Sequence, residues 1–344
     1  MRLLVTGGAG FIGSHFIRSW LANHPMDEVV NLDVLTYAGS LERLSDLSSN
    51  GRYRFIQGDI CNPQVVQDAM RACDGVVHFA AETHVDRSIT DCIPFLRTNV
   101  EGTSVMLQQA RDSGVKRFIT LSTDEVYGPV ESAPVDEQAP LKPRSPYAAS
   151  KAAGDLLTQA FYKTYGFSTI VVRPTNIFGP GQFPEKFIPL CITNGCEGRP
   201  IPIYGDGQQR RSWLFVEDAC EALAVLIEHA APGEVYNLAS GTESVNRETG
   251  RQILSLMNQP ETLLQSVPDR PGHDRRYAMN DAKLRALGWK PRTSFDEGLM
   301  QTVAWYRAHS AWWRPLIQRL REDPYHWLKW SVGTSPQQTS SALL

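Results

Sequence analysis

Apolar residues arrive in short consecutive runs through the first half of the chain. The stretches between those runs carry apolar positions three or four apart. Consecutive apolar positions mark strands buried on both faces, and the wider spacing marks the helices that cover them. The runs are Arg2–Thr6, Val29–Asp33, Tyr53–Gln57, Gly75–Phe79, Arg117–Leu121 and Ser168–Val172. A helix opens near Gly10, and long helices are predicted over Asn99 to about Ser113 and over Tyr147 to Tyr165. Such alternation predicts an α/β fold, a doubly wound parallel sheet with helices on both faces.

After Arg173 the rhythm changes. Pro174 to Gly207 is dense in Pro and Gly, the composition of an ordered, loop-rich lobe rather than of a sheet. Glu217–His229 reads as a helix, and Glu234–Leu238 as one more strand of the first domain. From about Asn246 the chain returns to a second lobe. The expected division is residues 1–175 with about 214–243 as the first domain, and 176–213 with 244–330 as a smaller, discontinuous lobe. The tail, residues 331–344, is polar, small and aperiodic, so disorder is its default reading.

Composition narrows the partners. The 344 residues carry a formal net charge of −3, which gives nucleic acid or an anionic membrane surface no electrostatic hold. Any phosphate must therefore be met locally, by a few Arg and Lys side chains and by backbone N–H groups. No stretch approaches the roughly 20 apolar residues of a membrane helix, and the N-terminal apolar run breaks at Gly7, too early for a signal peptide. Six cysteines are scattered without a Cys-x-x-Cys pair, and no His or third Cys beside Cys191 and Cys196 completes a metal site. They read as reduced thiols of a cytoplasmic protein, with no metal expected.

Gly7-Gly8-Ala9-Gly10-Phe11-Ile12-Gly13 follows the first strand and opens a helix. Glycines at this spacing let the backbone turn tightly and approach a pyrophosphate, which the helix N-terminus then meets with unpaired N–H donors. A glycine triplet alone is weak evidence, but Asp33 ends the second strand about 20 residues on, where a carboxylate accepts both ribose hydroxyls. The same carboxylate repels a 2′-phosphate, so the reading is a Rossmann-type domain holding NAD rather than NADP. Asp59, after the third strand, is placed to reach the adenine; the plainer reading is a turn Asp capping the next helix.

Tyr147 and Lys151 stand one helical turn apart on one face. A free tyrosine has a pKa of about 10, and a lysine ammonium with a cationic nicotinamide favours the phenolate. Tyr147 would then take a hydroxyl proton while hydride leaves the same carbon. An isolated Tyr-x-x-x-Lys is ordinarily a surface pair; behind a dinucleotide-binding unit it is more. Thr123-Asp124-Glu125 follows the strand Arg117–Leu121, at the carboxyl edge where open α/β sheets place ligands. Two adjacent carboxyls away from water can be driven to different protonation states, one acid and one base, as an elimination requires. Unplaced, the pair would be an exposed acidic loop.

These stretches, together with Leu32–Tyr37, Gly58-Asp59-Ile60, His78–Ser88, Ser122–Gly128, Ser145–Lys151, Pro184–Pro189 and Asp269–Tyr277, resemble the extended short-chain dehydrogenase/reductase family, and within it the dTDP-glucose 4,6-dehydratases. The likeness covers about residues 1–310. It implies oxidation of a sugar at C4 with Tyr147 as base, removal of the C5 proton by Glu125, protonation of the departing 6-hydroxyl by Asp124, and hydride return to C6, with Thr123 on the 4-oxygen. For the cofactor it implies Gly7, Gly10, Phe11, Ile12, Gly13, Asp33, Asp59, Ile60, Ala80, Ala81, Asn99, Tyr147 and Lys151. For a nucleotide-diphosphate sugar it implies Thr83, Thr123, Asn176, Lys186, Phe187, Pro202, Tyr204, Arg211, Asn246, Arg270 and His273. Among these, Arg211, Lys186 and Arg270 suit a pyrophosphate and Tyr204 a pyrimidine face. A homodimer is implied as well.

The chain departs from the family pattern at Ser212, where an aspartate is usual between Arg and Trp, at Ile177, at Thr83 for serine, and at Ala219 for histidine. Three other readings stay open: a 4,6-dehydratase of a UDP- or CDP-sugar, a 4-epimerase or decarboxylase, and a catalytically silent NAD sensor on the same fold.

Overall fold

The computed structural model describes residues 1–322. The expected disordered tail, 331–344, lies outside the described residues, as does the end of the second lobe. The first half runs β1 (Arg2–Thr6), α1 (Phe11–Asn23), β2 (Glu28–Asp33), β3 (Tyr53–Gln57), α2 (Pro63–Ala69), β4 (Gly75–His78), α3 (Val85–Thr90), α4 (Ile93–Leu96), α5 (Thr103–Asp112), β5 (Arg117–Leu121), α6 (Pro146–Tyr165) and β6 (Thr169–Pro174). The second half adds β7 (Asn176–Phe178), α7 (Phe187–Cys196), β8 (Ile201–Tyr204), β9 (Arg210–Phe215), α8 (Val216–His229), β10 (Val235–Leu238) and β11 (Glu243–Val245). It closes with α9 (Asn246–Leu256), β12 (Leu264–Val267), α10 (Ala282–Arg285), α11 (Phe295–Ala308) and α12 (Ser310–Glu322).

Seven strands form one parallel sheet in the order β10-β6-β5-β4-β1-β2-β3. The order reverses between β1 and β4, so their carboxyl ends flank a crevice at the topological switch point. Central strands β1, β4, β5 and β6 are buried along almost their whole length, which is why they read as unbroken apolar runs. Leu3, Val5, Phe16, Val77, Ile119 and Leu223 form the core on one face of the sheet; Leu4, Val30, Val76, Met106 and Phe118 form it on the other. A separate core of Phe178, Ile188, Ile203, Trp213, Phe215, Leu299, Tyr306 and Trp313 holds the remaining elements together.

Two expectations need correction. Residues 174–207 are not mainly loop: they contain β7, the ten-residue α7 and β8. Every position from Ile188 to Gly195 is buried, so α7 shows no polar face and no amphipathic period. Glycines such as Gly179 and Gly181, both at positive φ, punctuate turns between elements rather than a continuous loop. The helix expected from Asn99 starts earlier, at Ile93, and passes through a π-turn over Arg97–Gly102 before α5. That turn carries Asn99.

Candidate active site

Gly7 leaves β1 with φ 71°, a left-handed conformation glycine adopts without strain. A Cβ there would sit 2.7 Å from the Ala80 nitrogen, so the loop lies hard against the end of β4. Gly10 caps α1 without any side-chain hydrogen bond, which leaves the first-turn N–H groups available to an anion. At the end of β2, Asp33 accepts the Ala9 N–H at 2.9 Å and the Leu35 N–H at 2.8 Å. Burial raises its pKa, while those two N–H groups and Arg43 oppose the rise.

A cavity of about 610 Å³ runs along this edge, lined by Gly7, Gly10, Phe11, Ile12, Gly13, Asp33, Asp59, Ile60, Ala80 and Ala81 at one end. At the other end its wall is Thr123, Asp124, Glu125, Tyr147 and Lys151. Asp59 binds the Cys61 N–H at 2.8 Å and pairs with Arg97 at 3.0 Å at the cavity wall. Asn99 is the exception among the expected cofactor residues, since it does not line the cavity. Its amide clamps the Glu82 backbone, accepting the N–H at 2.9 Å and donating to the carbonyl at 3.0 Å, and donates to Ser150 Oγ at 2.9 Å. Glu82 is the wall residue that results.

Helix α6 begins with Ser145 as cap, accepting the Ala148 N–H at 3.1 Å, and Pro146 in its first turn. This delivers Tyr147, whose N–H is donated to Ser88 Oγ at 3.1 Å, buried at the sheet edge. Lys151, one turn on, donates from Nζ to the Leu121 carbonyl at 2.6 Å. Asp124–Tyr127 is a single 3₁₀ turn that Thr123 opens, its hydroxyl accepting the Glu125 N–H at 3.3 Å. Thr123 also donates to Asp124 Oδ1 at 3.1 Å, and Thr175 reaches Oδ2 at 3.4 Å.

The two carboxyls differ in electrostatic surroundings. Burial, then the charge of Glu125, pushes Asp124 up to about 7. Burial raises Glu125 too, but Arg270, Arg211 and Lys186 act against it and favour its ionised form. The expected lowering of Tyr147 by Lys151 does not appear. Burial, and next the charge of Glu125, holds the phenol well above its ordinary range, with only the Thr123 hydrogen bond among its partners drawing it down. Lys151 itself is lowered to about 8 by burial, with Asp155 opposing. Its ammonium donates to the Leu121 carbonyl rather than to the phenol.

A second cavity, about 190 Å³, shares Thr83, Glu125, Asn176, Glu185 and Lys186 with the first, so the two adjoin. Its walls bring together all the remaining expected substrate residues: Phe187, Pro202, Tyr204, Arg211, Asn246, Arg270 and His273. Tyr204 donates to Asp86 at 2.8 Å and meets His273 edge-on at 5.8 Å. Arg270 pairs with Asp86 at 3.2 Å, and Arg211 donates to the Asp274 carbonyl at 3.0 Å. Asn176 Oδ1, Asn246 Oδ1 and Arg270 Nε are buried without a hydrogen-bond partner among the described residues. Buried polar atoms left open are costly unless a ligand meets them. Asp86, Glu185 and Tyr277 each lie inside a family-like stretch, yet the resemblance assigns them no role. Tyr277 donates to Asp274 at 3.0 Å and stands 3.5 Å from Glu125.

Parallel sheet, glycine loop, Asp33 and the Tyr147/Lys151 pair together define a short-chain dehydrogenase/reductase of the extended kind. The chain matches the family model described as GDP-mannose 4,6 dehydratase over residues 4–302. It is 47% identical over 321 residues to the dTDP-glucose 4,6-dehydratase of Streptomyces niveus, covering 92% of this chain and 96% of that one. It is 46% identical over 306 residues to the low-salt glycan biosynthesis protein Agl12 of Haloferax volcanii, covering 89% and 98%. Among solved structures it is similar to DesIV (dTDP-glucose 4,6-dehydratase) from Streptomyces venezuelae with NAD and TYD bound, with TM-score 0.90 and 46% identity, covering 92% and 100%. The chain belongs to the extended short-chain dehydrogenase/reductase family, in its dTDP-glucose 4,6-dehydratase branch.

Proposed function

We propose that the protein converts dTDP-glucose to dTDP-4-keto-6-deoxyglucose, with NAD as its cofactor. The observation that carries the reading is the meeting of the two cavities at Glu125, beside Asp124 and across from Tyr147. The glycine loop, the open α1 N-terminus and Asp33 suit the pyrophosphate and ribose of the cofactor. When bound, NAD supplies a hydride acceptor for C4 and a hydride donor for C6. Tyr147, whose phenolate the cationic nicotinamide ring of bound NAD would favour against the burial that raises it, would take the proton of the 4-hydroxyl, and Thr123 would hold the 4-oxygen as it becomes a ketone. That ketone acidifies the C5 hydrogen, which Glu125 removes as carboxylate and returns to C5 as a proton once C6 has received its hydride. Asp124, pushed up to about 7, holds its proton in a large share of molecules at neutral pH and gives it to the departing 6-hydroxyl. Arg211, Lys186 and Arg270 carry the pyrophosphate, and Tyr204 the base.

The test is an assay of purified protein with dTDP-, UDP- and CDP-glucose. A 4-keto-6-deoxy product, visible by its absorbance in base, should form fastest from dTDP-glucose with no net use of NAD. Glu125→Gln should oxidise C4 but stall, so that bound NADH accumulates; normal turnover would rule out Glu125 as the base. We further infer a cytoplasmic homodimer. All six cysteines are unpaired, no helix among the described residues is long and apolar enough to cross a membrane, and Ile93, Leu96 and Leu156 are exposed on α4 and α6.

A further inference from the structure

Behind the reacting groups lies a buried polar network that the mechanism above does not use. Tyr147, Lys151 and Asp155 stand at successive turns of α6, so Asp155 continues the ridge that carries the reactive pair. Its carboxylate takes a two-pronged contact from Arg173 on β6, with Nε to Oδ2 at 2.8 Å and Nη2 to Oδ1 at 3.0 Å. The third nitrogen, Nη1, donates to the Tyr127 hydroxyl at 2.7 Å, and that hydroxyl donates onward to Asn237 Oδ1 at 2.7 Å. Asp155, Arg173, Tyr127 and Asn237 are all buried, at 0, 2, 5 and 0% exposure. Tyr127 ends the single turn that holds Asp124 and Glu125. Two residues beyond Arg173, Thr175 touches Asp124 from the same chain segment.

We propose that Tyr127 is a positioning residue for the acid–base pair, held by the Asp155–Arg173 bridge so that the turn carrying Asp124 and Glu125 keeps its place against the helix carrying Tyr147 and Lys151. This rests on the acid–base reading given above. A buried ion pair is a weak source of stability, because desolvating both ions offsets most of their attraction and apolar side chains of similar volume serve as well. A planar fork fixed at both ends supplies direction instead. A 3₁₀ turn of four residues has little rigidity of its own, and the two carboxyls must reach C5 and the 6-hydroxyl from one side of the ring. Tyr127 fixes the far end of that turn, while Thr123 fixes the near one.

Tyr127→Phe keeps the ring and removes only the hydroxyl that joins Arg173 to Asn237. Elimination should slow by on the order of ten- to a hundredfold, the range expected when reacting groups lose alignment, while C4 oxidation continues. On mixing the NAD-bound variant with dTDP-glucose, bound NADH should therefore accumulate, with KM for the sugar nucleotide changed less than about twofold. A crystal structure of the variant should show the Glu125 carboxylate displaced relative to Tyr147. Arg173→Lys, which keeps the charge and loses the fork, should behave the same way, and carries the test if Tyr127→Phe fails to fold. Unchanged turnover, slowed turnover without NADH, or an unmoved carboxylate overturns the inference. Glu125→Gln run in parallel separates the two claims. If it accumulates NADH and Tyr127→Phe does not, the positioning role alone falls; if it does not, the acid–base assignment falls first.

Discussion

Asp124 and Glu125 are neighbours in sequence, yet their surroundings divide them. Asp124 faces two hydroxyls, the charge of Glu125 and one cation, Arg211, while Glu125 feels three cations. In the proposed mechanism, a pKa of about 7 gives Asp124 a proton whose supply runs out above neutrality. The rate constant kcat should therefore fall as pH rises through about 7, and Asp124→Asn should abolish that limb while lowering kcat by about 10²–10⁴, the usual value of a positioned acid. A kcat–pH profile of the two proteins checks this. The same shift has a stability consequence of opposite sense to the usual acidic side chain. The folded state holds a proton that the unfolded chain releases near 3.8, so this group's contribution to stability declines as pH rises from there to about 7.

At the scale of elements, α6 is the piece on which the site depends, and it was legible almost to the residue. Tyr147 to Tyr165 was the expected span and Pro146–Tyr165 the observed one, because Ser145, Pro146 and Gly166 mark both ends with local chemistry. Its partnership with β6 was not legible. Asp155 and Arg173 lie 18 positions apart, and no local rule joins a carboxylate on one helix to an arginine on the next strand. The prediction at this scale is that Asp155→Asn, which leaves Arg173 buried and uncompensated, lowers stability by about 3–5 kcal/mol, read from denaturant unfolding. The same limit explains the second lobe. Short strands β7, β8 and β11 have three or four residues each, too few for a period, and α7 is buried all round. The expected residues of the second cavity rest instead on the family resemblance, which assigns no role to Asp86, Glu185 or Tyr277.

In the whole molecule, a core on each face holds the sheet and its helices, another core holds the elements around α7 and α11, and the two adjoining cavities take lining residues from both parts. In the proposed mechanism, residues on the first side fix the cofactor edge and residues on the second the substrate edge, so the relation between the two must be stiff for the acids to reach the sugar. The short helix α4 is the weak point in that frame. Ile93 and Leu96 are 65% and 47% exposed, as is Leu156 on α6 at 55%, yet Ile93 and Pro94 line the cofactor cavity together with Arg97 and Thr98 of the following π-turn. A second copy packed on this face would remove apolar surface from water and brace the outer wall of the cavity at once. Leu156 lines neither cavity, so Leu156→Glu puts a charge on α6 outside both walls. It should give a monomer by sedimentation velocity, and the monomer should release NAD faster than the dimer because α4 loses its support. A dimer that survives the substitution would place the interface elsewhere. A monomer that keeps NAD as tightly would show that the wall of the cavity stands without a partner.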